Sequence, residues 1–426
     1  MRVLWICNLV LPDFCGEFDI KRTVYGGWMT GLLNALKNWP DVEVALAFPI
    51  IDKVRRHDGT CQGHRYYSFA AEHDRQDIDD ADCFDMTHDF LRIILDFQPD
   101  VVEIWGTEYP HAWAAFQACR ELGLTNRTVC HLQGILTFIV CHYAQGLPDG
   151  VVTYQNQDGS SICQEINILD KQARRERKII EGIGYVLGRT FWDESCAKLI
   201  FPGIRYRTCD EILRPEFYNN QYSWQAKRCE RHTIFVSQAS YALKGLHNIM
   251  MAACLLRAKY PDLYICLGGS NPMVPDSRGN LSTYGFYVKA LGEHLGVLDR
   301  LEFMGMLTAD EMVEQYLHAN AFVLASSIEN SPNSVAEAML IGTPVVASDV
   351  GGLSSLVRHG EDGFLYQADA PYMLAAYVER IFEDDRLAMR LSENGQKTMR
   401  ERHSPARIRG QVLSVYAEAA MAREAF

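Results

Sequence analysis

Two glutamates, Glu329 and Glu337, stand eight positions apart in the stretch Ser326 to Gly352, SSIENSPNSVAEAMLIGTPVVASDVGG. Glu329 falls in a loop and Glu337 inside a helix. Taken singly, each reads as a solvated acid. The neighbours of Glu337, however, are Ala336 and Ala338-Met339-Leu340, an apolar stripe that ought to be buried. A buried carboxylate needs a partner, and a ligand hydroxyl is a suitable one. The residues between the glutamates suggest a second chemistry. Ser331 is a helix-capping type, Pro332 suits the first turn, and Asn333 to Ile341 continue helically to Gly342, a good left-handed C′ residue. A helix start offers unbonded N–H groups and the positive end of the dipole, which suits a phosphate.

The elements that must position these groups are short apolar strands. Ala321 to Ala325 and Pro344 to Ala347 flank the stretch and predict buried parallel strands. That puts Glu329 at the carboxyl end of a strand, where open α/β sheets bind ligands. Earlier in the chain, Thr233 to Ser237 predicts a strand followed by Leu243-Lys244-Gly245 and a helix from Ile249. Leu263 to Leu267 predicts another, closed by Gly268-Gly269. The first half alternates in the same way. Strands are expected at Val3 to Leu9, Val42 to Phe48, Val101 to Trp105 and Thr128 to Leu132. Helices are expected at Trp28 to Leu36, Met86 to Phe97 and Trp113 to Leu122. The alternation predicts an α/β chain with doubly wound parallel sheets.

The combination of Glu329, Glu337-Ala338-Met339, Gly342-Thr343-Pro344-Val345-Val346 and Gly351-Gly352 resembles the retaining GT-B glycosyltransferases of the family-4 type. The resemblance is strong from about Thr233 to Leu365 and weaker elsewhere. It implies two Rossmann-like domains facing across a cleft: an acceptor-side domain 1–211, a linker 212–231, a nucleotide-sugar domain 232–403, and a last helix 404–426 crossing back. It implies transfer of a sugar from a nucleotide-diphospho-sugar to a hydroxyl acceptor, a glycan or lipid-linked glycan in polysaccharide biosynthesis, with retention. No further cofactor is expected. No metal is expected either, since no Asp-x-Asp motif stands where a metal-dependent transferase needs it.

By the same resemblance, Lys244 and the N–H groups of Asn333 and Ser334 hold the diphosphate, Glu329 orients the donor sugar, and Glu337 takes the ribose hydroxyls. Gly268 and Gly269 join the donor site. Gly26 and Gly27 lie on the acceptor side, with His131 and Gln133 beside the site. Two departures matter. Where the family often carries a His-Gly pair, Gln133 precedes Gly134 and the histidine is two positions earlier. Residues two apart on a strand face the same way, so either could approach the site; His131 equally reads as a core histidine. Glutamine cannot act as acid or base. The family's phosphate-binding arginine is also missing from Ser237-Gln238-Ala239-Ser240. A nucleotide-sugar epimerase or phosphorylase, or a non-catalytic nucleotide-sugar-binding subunit, are the rival readings.

Composition bounds the partners. A net charge of -13 over 426 residues argues against a nucleic-acid binder working through overall charge. Thirteen scattered cysteines without a CxxC pair fit free thiols in a reducing cytoplasm. VLWICNLVL near the start reads as a first strand, because Asp13, Glu17 and Asp19 stand where a signal-peptide cleavage site should be. The segment Leu169 to Tyr185 is amphipathic, with Lys171, Arg174, Arg175, Arg177 and Lys178. It reads either as a solvated helix face or as a peripheral contact with the inner membrane face.

Overall fold

The computed structural model describes residues 1–23, 26–37, 39–50, 57–70, 83–156, 159–277 and 279–422. The chain forms two compact units. The first comprises Met1–Val140, Ile168–Arg214 and the segment from His403; the second comprises Cys141–Asn167 and Pro215–Arg402.

The first unit is built on β1 (Arg2–Ile6), β2 (Glu43–Ile50), β3 (Gly59–Cys61), β4 (His64–Ala70), β5 (Val101–Trp105), β6 (Thr128–His131), β7 (Tyr185–Gly188) and β8 (Arg205–Thr208). Their order in the sheet is β3-β4-β2-β1-β5-β6-β7-β8. Every pairing is parallel except the hairpin of β3 on β4. β5 is buried at all five positions, as a central strand covered on both faces must be. After β7 the chain enters the helix Phe191–Ile200 through a capping box. The Asp193 amide donates to the Thr190 hydroxyl, and the Thr190 amide donates to the Asp193 carboxylate.

The second unit holds β9 (Thr233–Val236), β10 (Tyr264–Gly268), β11 (Leu301–Gly305), β12 (Ala321–Leu324), β13 (Val345–Ser348) and β14 (Phe364–Tyr366). They form one sheet in the order β11-β10-β9-β12-β13-β14, parallel throughout. Its neighbours across the centre, β9 and β12, are the strands that lead to Lys244 and Glu329.

Three expectations change. The segment 141–167, placed by sequence in the first domain, groups with the second unit. The stretch 212–231 is not a featureless linker. Ile212 and Leu213 are buried in the first unit, while Phe217 and Trp224 are buried in the second. The Trp224 indole N–H donates to the Ala319 carbonyl at 2.7 Å. Aromatic burial outweighs the polar composition of that stretch. The third change concerns the basic segment. The basic helix runs Ile162–Gly182, and its apolar residues Ile179 and Ile180, with Ile183 just beyond, are buried. Arg175 and Glu176 are buried too, Arg174 pairs with Asp170 at 2.6 Å, and Lys178 lies 5.3 Å over the Trp113 ring. Ile166, Ile168 and Leu169, nearer its start, are half-buried. Among the described residues no helix is long and apolar enough to cross a membrane. The thirteen cysteines are free thiols, most of them buried.

Candidate active site

The site in the second unit starts with two turns locked together. Beyond β9, the turn Ala242–Lys244 ends on Gly245, which has φ +70° and starts the helix Leu246–Leu256. A Cβ at Gly245 would stand 2.0 Å from the Ala325 carbonyl oxygen, so only glycine lets the turn meet the end of β12. The Ser327 amide donates to the Leu243 carbonyl at 2.8 Å. Lys244 and Glu329 are thereby brought into contact. The Lys244 ammonium donates to Glu329 Oε1 at 2.6 Å, and the Ser326 hydroxyl donates to the same oxygen at 2.8 Å. The side chains keep 17% and 13% of their exposure, so the pair is largely but not wholly withdrawn from water. Burial disfavours the ammonium. The charge of Glu329 and the nearby Tyr241 outweigh this, and the Lys244 pKa is raised.

Glu329 is also fixed through its backbone. The Gly352 amide donates to the Glu329 carbonyl at 3.0 Å. Gly351, at φ +51°, passes so close that a Cβ would lie 2.0 Å from that carbonyl oxygen. The Gly-Gly loop of the motif thus backs the Glu329 loop.

The helix Asn333–Ile341 follows. Its N-cap is Pro332 in extended conformation, without a side-chain cap, rather than Ser331. Pro332 cannot occupy the first helical position here because its ψ is 118°. The helix therefore opens directly on Asn333 and Ser334, and Gly342 closes it at φ 100°. Glu337 is buried, with 5% exposure. The Tyr316 hydroxyl lies 3.5 Å from Glu337 Oε2 but donates over the shorter distance, 3.0 Å, to the Ser334 carbonyl.

Gly268 and Gly269 serve close packing. Gly269 has φ +84°, and its amide donates to the Gly305 carbonyl at 2.8 Å. A Cβ there would sit 1.7 Å from Gln238 Oε1, and one on Gly268 would sit 2.5 Å from the Ser237 carbonyl oxygen. The arginine-less stretch Ser237 to Ser240 is therefore seated directly on this glycine pair. Ser240 completes the contact, its hydroxyl 2.7 Å from the Ser270 carbonyl oxygen. His247, three residues after Lys244, adds no charge. Burial lowers its pKa to about 4, leaving it neutral.

In the first unit, the candidate residues have structural partners. Gly26 takes φ +82° at the start of the helix Gly27–Leu36. A Cβ on Gly27 would lie 2.3 Å from Arg214 Cγ. His131 is buried, stacked on Trp105 at 4.3 Å, with Nδ1 3.3 Å from Glu103 Oε1. Glu103 also accepts from the Tyr416 hydroxyl, and that hydroxyl accepts from the Trp5 indole at 2.9 Å. His131 is thus part of a core network. β6 ends at His131, so Gln133 lies beyond the strand. Its side-chain amide donates to Glu211 at 2.9 Å, and its carbonyl accepts from Arg189 at 2.9 Å. Arg189 and Glu211 form a buried ion pair at 3.0 Å.

Sequence reading passed over Glu108, two residues beyond Gly106 at the end of β5. Gly106 takes φ +82°, and its missing Cβ leaves room for Glu108 Oε2, 2.2 Å from where that atom would stand. Among the described residues, that buried oxygen has no hydrogen-bond partner. Burial pushes the carboxyl up to about 7, with Glu176 raising it further and backbone N–H groups and Arg189 opposing. The unfolded chain releases this proton near the ordinary glutamate range, the folded chain only near 7. Between those values the unfolded state binds fewer protons, so stability falls as pH rises and levels off above 7. Glu108→Gln should remove that contribution. Urea melts at pH 5 and pH 8 should show the wild type losing about 1–3 kcal/mol more than the variant over this interval. An identical pH response would place the carboxylate in water.

Residues 220–398 match the family Glycosyl transferases group 1. The match lies within the second unit and covers less than half of the chain. It contains Lys244, Gly268, Gly269, Glu329, Asn333, Ser334 and Glu337. A Methanocaldococcus jannaschii protein described as an uncharacterized glycosyltransferase is 24% identical over 240 residues, 54% of this chain and 58% of that protein. The D-inositol 3-phosphate glycosyltransferase of Corynebacterium urealyticum is 31% identical over 153 residues, 34% of each chain. The chain thus spans less than two thirds of the length of these curated relatives. Among solved structures, sucrose-phosphate synthase of Thermosynechococcus elongatus superposes with a TM-score of 0.70 at 16% identity, covering 98% of both chains. Anabaena HepE in complex with UDP and glucose gives 0.64 at 16% identity, covering 98% of this chain and 100% of its own. These likenesses show the fold, which is GT-B. Group 1 character is thus carried by the second unit, where the Lys244–Glu329 pair stands.

Proposed function

We propose that the chain transfers a sugar from a nucleotide-diphospho-sugar to a hydroxyl acceptor, with retention and without a metal ion. The observation that carries this reading is the convergence of Lys244 and Glu329 at the carboxyl ends of β9 and β12, ahead of the helix that opens at Asn333. As the donor bond breaks, negative charge grows on the diphosphate. Lys244 and the N–H groups of Asn333 and Ser334 stabilise it. Glu329 orients the sugar through its hydroxyls, and Glu337 holds the ribose. Gly268 and Gly269 are assigned to the donor site through the Ser237 to Ser240 turn that they seat. The acceptor enters from the same face, and the leaving phosphate oxygen takes its proton, so no side chain is needed as base. Retention rests on the motif resemblance. Gly26, Gly27 and Gln133 are assigned to the acceptor side, and His131 is left a structural role.

The acceptor proposed is a glycan or lipid-linked glycan of polysaccharide biosynthesis in a reducing cytoplasm, which suits the free thiols. HepE was solved with UDP and with UDP-glucose, so UDP-sugars are the first donors to test. The assay is nucleoside diphosphate release with EDTA present, with and without a glycan acceptor. Acceptor-dependent release is expected. Epimerisation without acceptor, or binding without turnover of any donor, would overturn the reading, as would full loss in EDTA that magnesium reverses.

A further inference from the structure

We propose that Glu329 also discriminates the sugar-bearing donor from the spent nucleoside diphosphate, by competing with the diphosphate for Lys244. The inference rests on the donor reading above. In the structure the carboxylate is the ionic partner of the lysine, and one oxygen, Oε1, receives both the Lys244 ammonium at 2.6 Å and the Ser326 hydroxyl at 2.8 Å. Both backbones are held. The Lys244 amide donates to the Tyr241 carbonyl at 3.0 Å, and the Glu329 carbonyl is gripped by the Gly351-Gly352 loop. Exchange of partners therefore falls to side-chain rotation.

A diphosphate that takes Lys244 must displace Glu329. When a sugar is attached, its hydroxyls offer the carboxylate new donors and the exchange is compensated. When the sugar has left, the displaced carboxylate keeps, among the described residues, the Ser326 hydroxyl. The pair is largely shielded from water, so that loss is not screened away. Glu329 then returns to Lys244 and loosens the product. The same carboxylate favours the donor and expels the diphosphate.

The test is calorimetric titration of UDP and of the UDP-sugar that the enzyme turns over, with ADP and GDP as alternative bases. Glu329→Gln should bind the nucleoside diphosphate about tenfold more tightly and the nucleotide-sugar about tenfold more weakly. A merely structural role for Glu329 would weaken both. In Lys244→Ala/Glu329→Gln the gain for the diphosphate should vanish, because the cation it depends on is gone. Glu329→Asp, which withdraws the carboxylate from Lys244, should tighten the diphosphate in the same sense, so the outcome does not hang on one variant folding. Unchanged or weaker diphosphate binding in both single variants would overturn this inference while leaving the donor reading intact. Failure of the wild type to bind any of the three diphosphates would overturn the donor reading itself.

Discussion

Replacing Lys244 with alanine is expected to lower kcat/KM about tenfold to hundredfold, the value of a charge-assisted contact to a phosphate of roughly 1.5–3 kcal/mol. The upper end is favoured here. The usual arginine is absent from Ser237 to Ser240, and His247 is held neutral by burial. Lys244 is thus the one charged cation on this turn. The change has a second consequence. Glu329, with 13% of its side chain exposed, loses its ionic partner and keeps only the Ser326 hydroxyl on Oε1. Stripping one member of a shielded pair leaves an uncompensated charge. Discounted for the remaining exposure, the loss of stability should be about 1–2 kcal/mol. Steady-state kinetics and a denaturant melt read the two effects separately. A loss of kcat/KM below about threefold, under roughly 0.7 kcal/mol, would mean that the phosphates are held elsewhere.

Glu337→Gln should weaken nucleotide-sugar binding about tenfold while the fold survives. The amide has nearly the shape of the carboxylate, so the buried helix keeps its packing, including the contact region of Tyr316. What is lost is a charged acceptor for two ribose hydroxyls. The carboxylate is buried at 5% exposure, with the Tyr316 hydroxyl 3.5 Å away. Titration calorimetry with the donor checks the prediction. An unchanged donor affinity would reduce Glu337 to a structural neighbour of Tyr316.

The strands were legible because parallel strands covered on both faces are short apolar runs, and the runs ending at Ile6, Trp105, Val236, Leu324 and Ser348 are of this kind. The burial of Glu337 was legible for the same reason, since alanines and a methionine flank it. The Lys244–Glu329 contact was not. The two residues are 85 positions apart, and their meeting depends on β9 and β12 being sheet neighbours and on the missing Cβ of Gly245. Local spacing carries no information about either. The helix cap was misread because Ser331 has the right chemistry, yet Pro332 adopts an extended ψ and takes the cap position itself. His131 and Gln133 were treated as one strand face, but β6 stops between them. The partial burial of the basic helix was not legible for a different reason: its charges are visible in sequence, whereas the partners of Arg174 and Lys178 and the core around Ile179 and Ile183 are not.

A nucleotide-sugar bound at Lys244, Glu329 and Glu337 is expected to give its sugar to a hydroxyl with the anomeric configuration kept. A proton NMR time course of donor, acceptor and enzyme reads this directly. The expected product signal has the donor's own anomeric configuration, grows only when acceptor is present and as fast as the donor signal falls, and is suppressed in Lys244→Ala. A product of inverted configuration, or a new sugar nucleotide formed without acceptor, would contradict it.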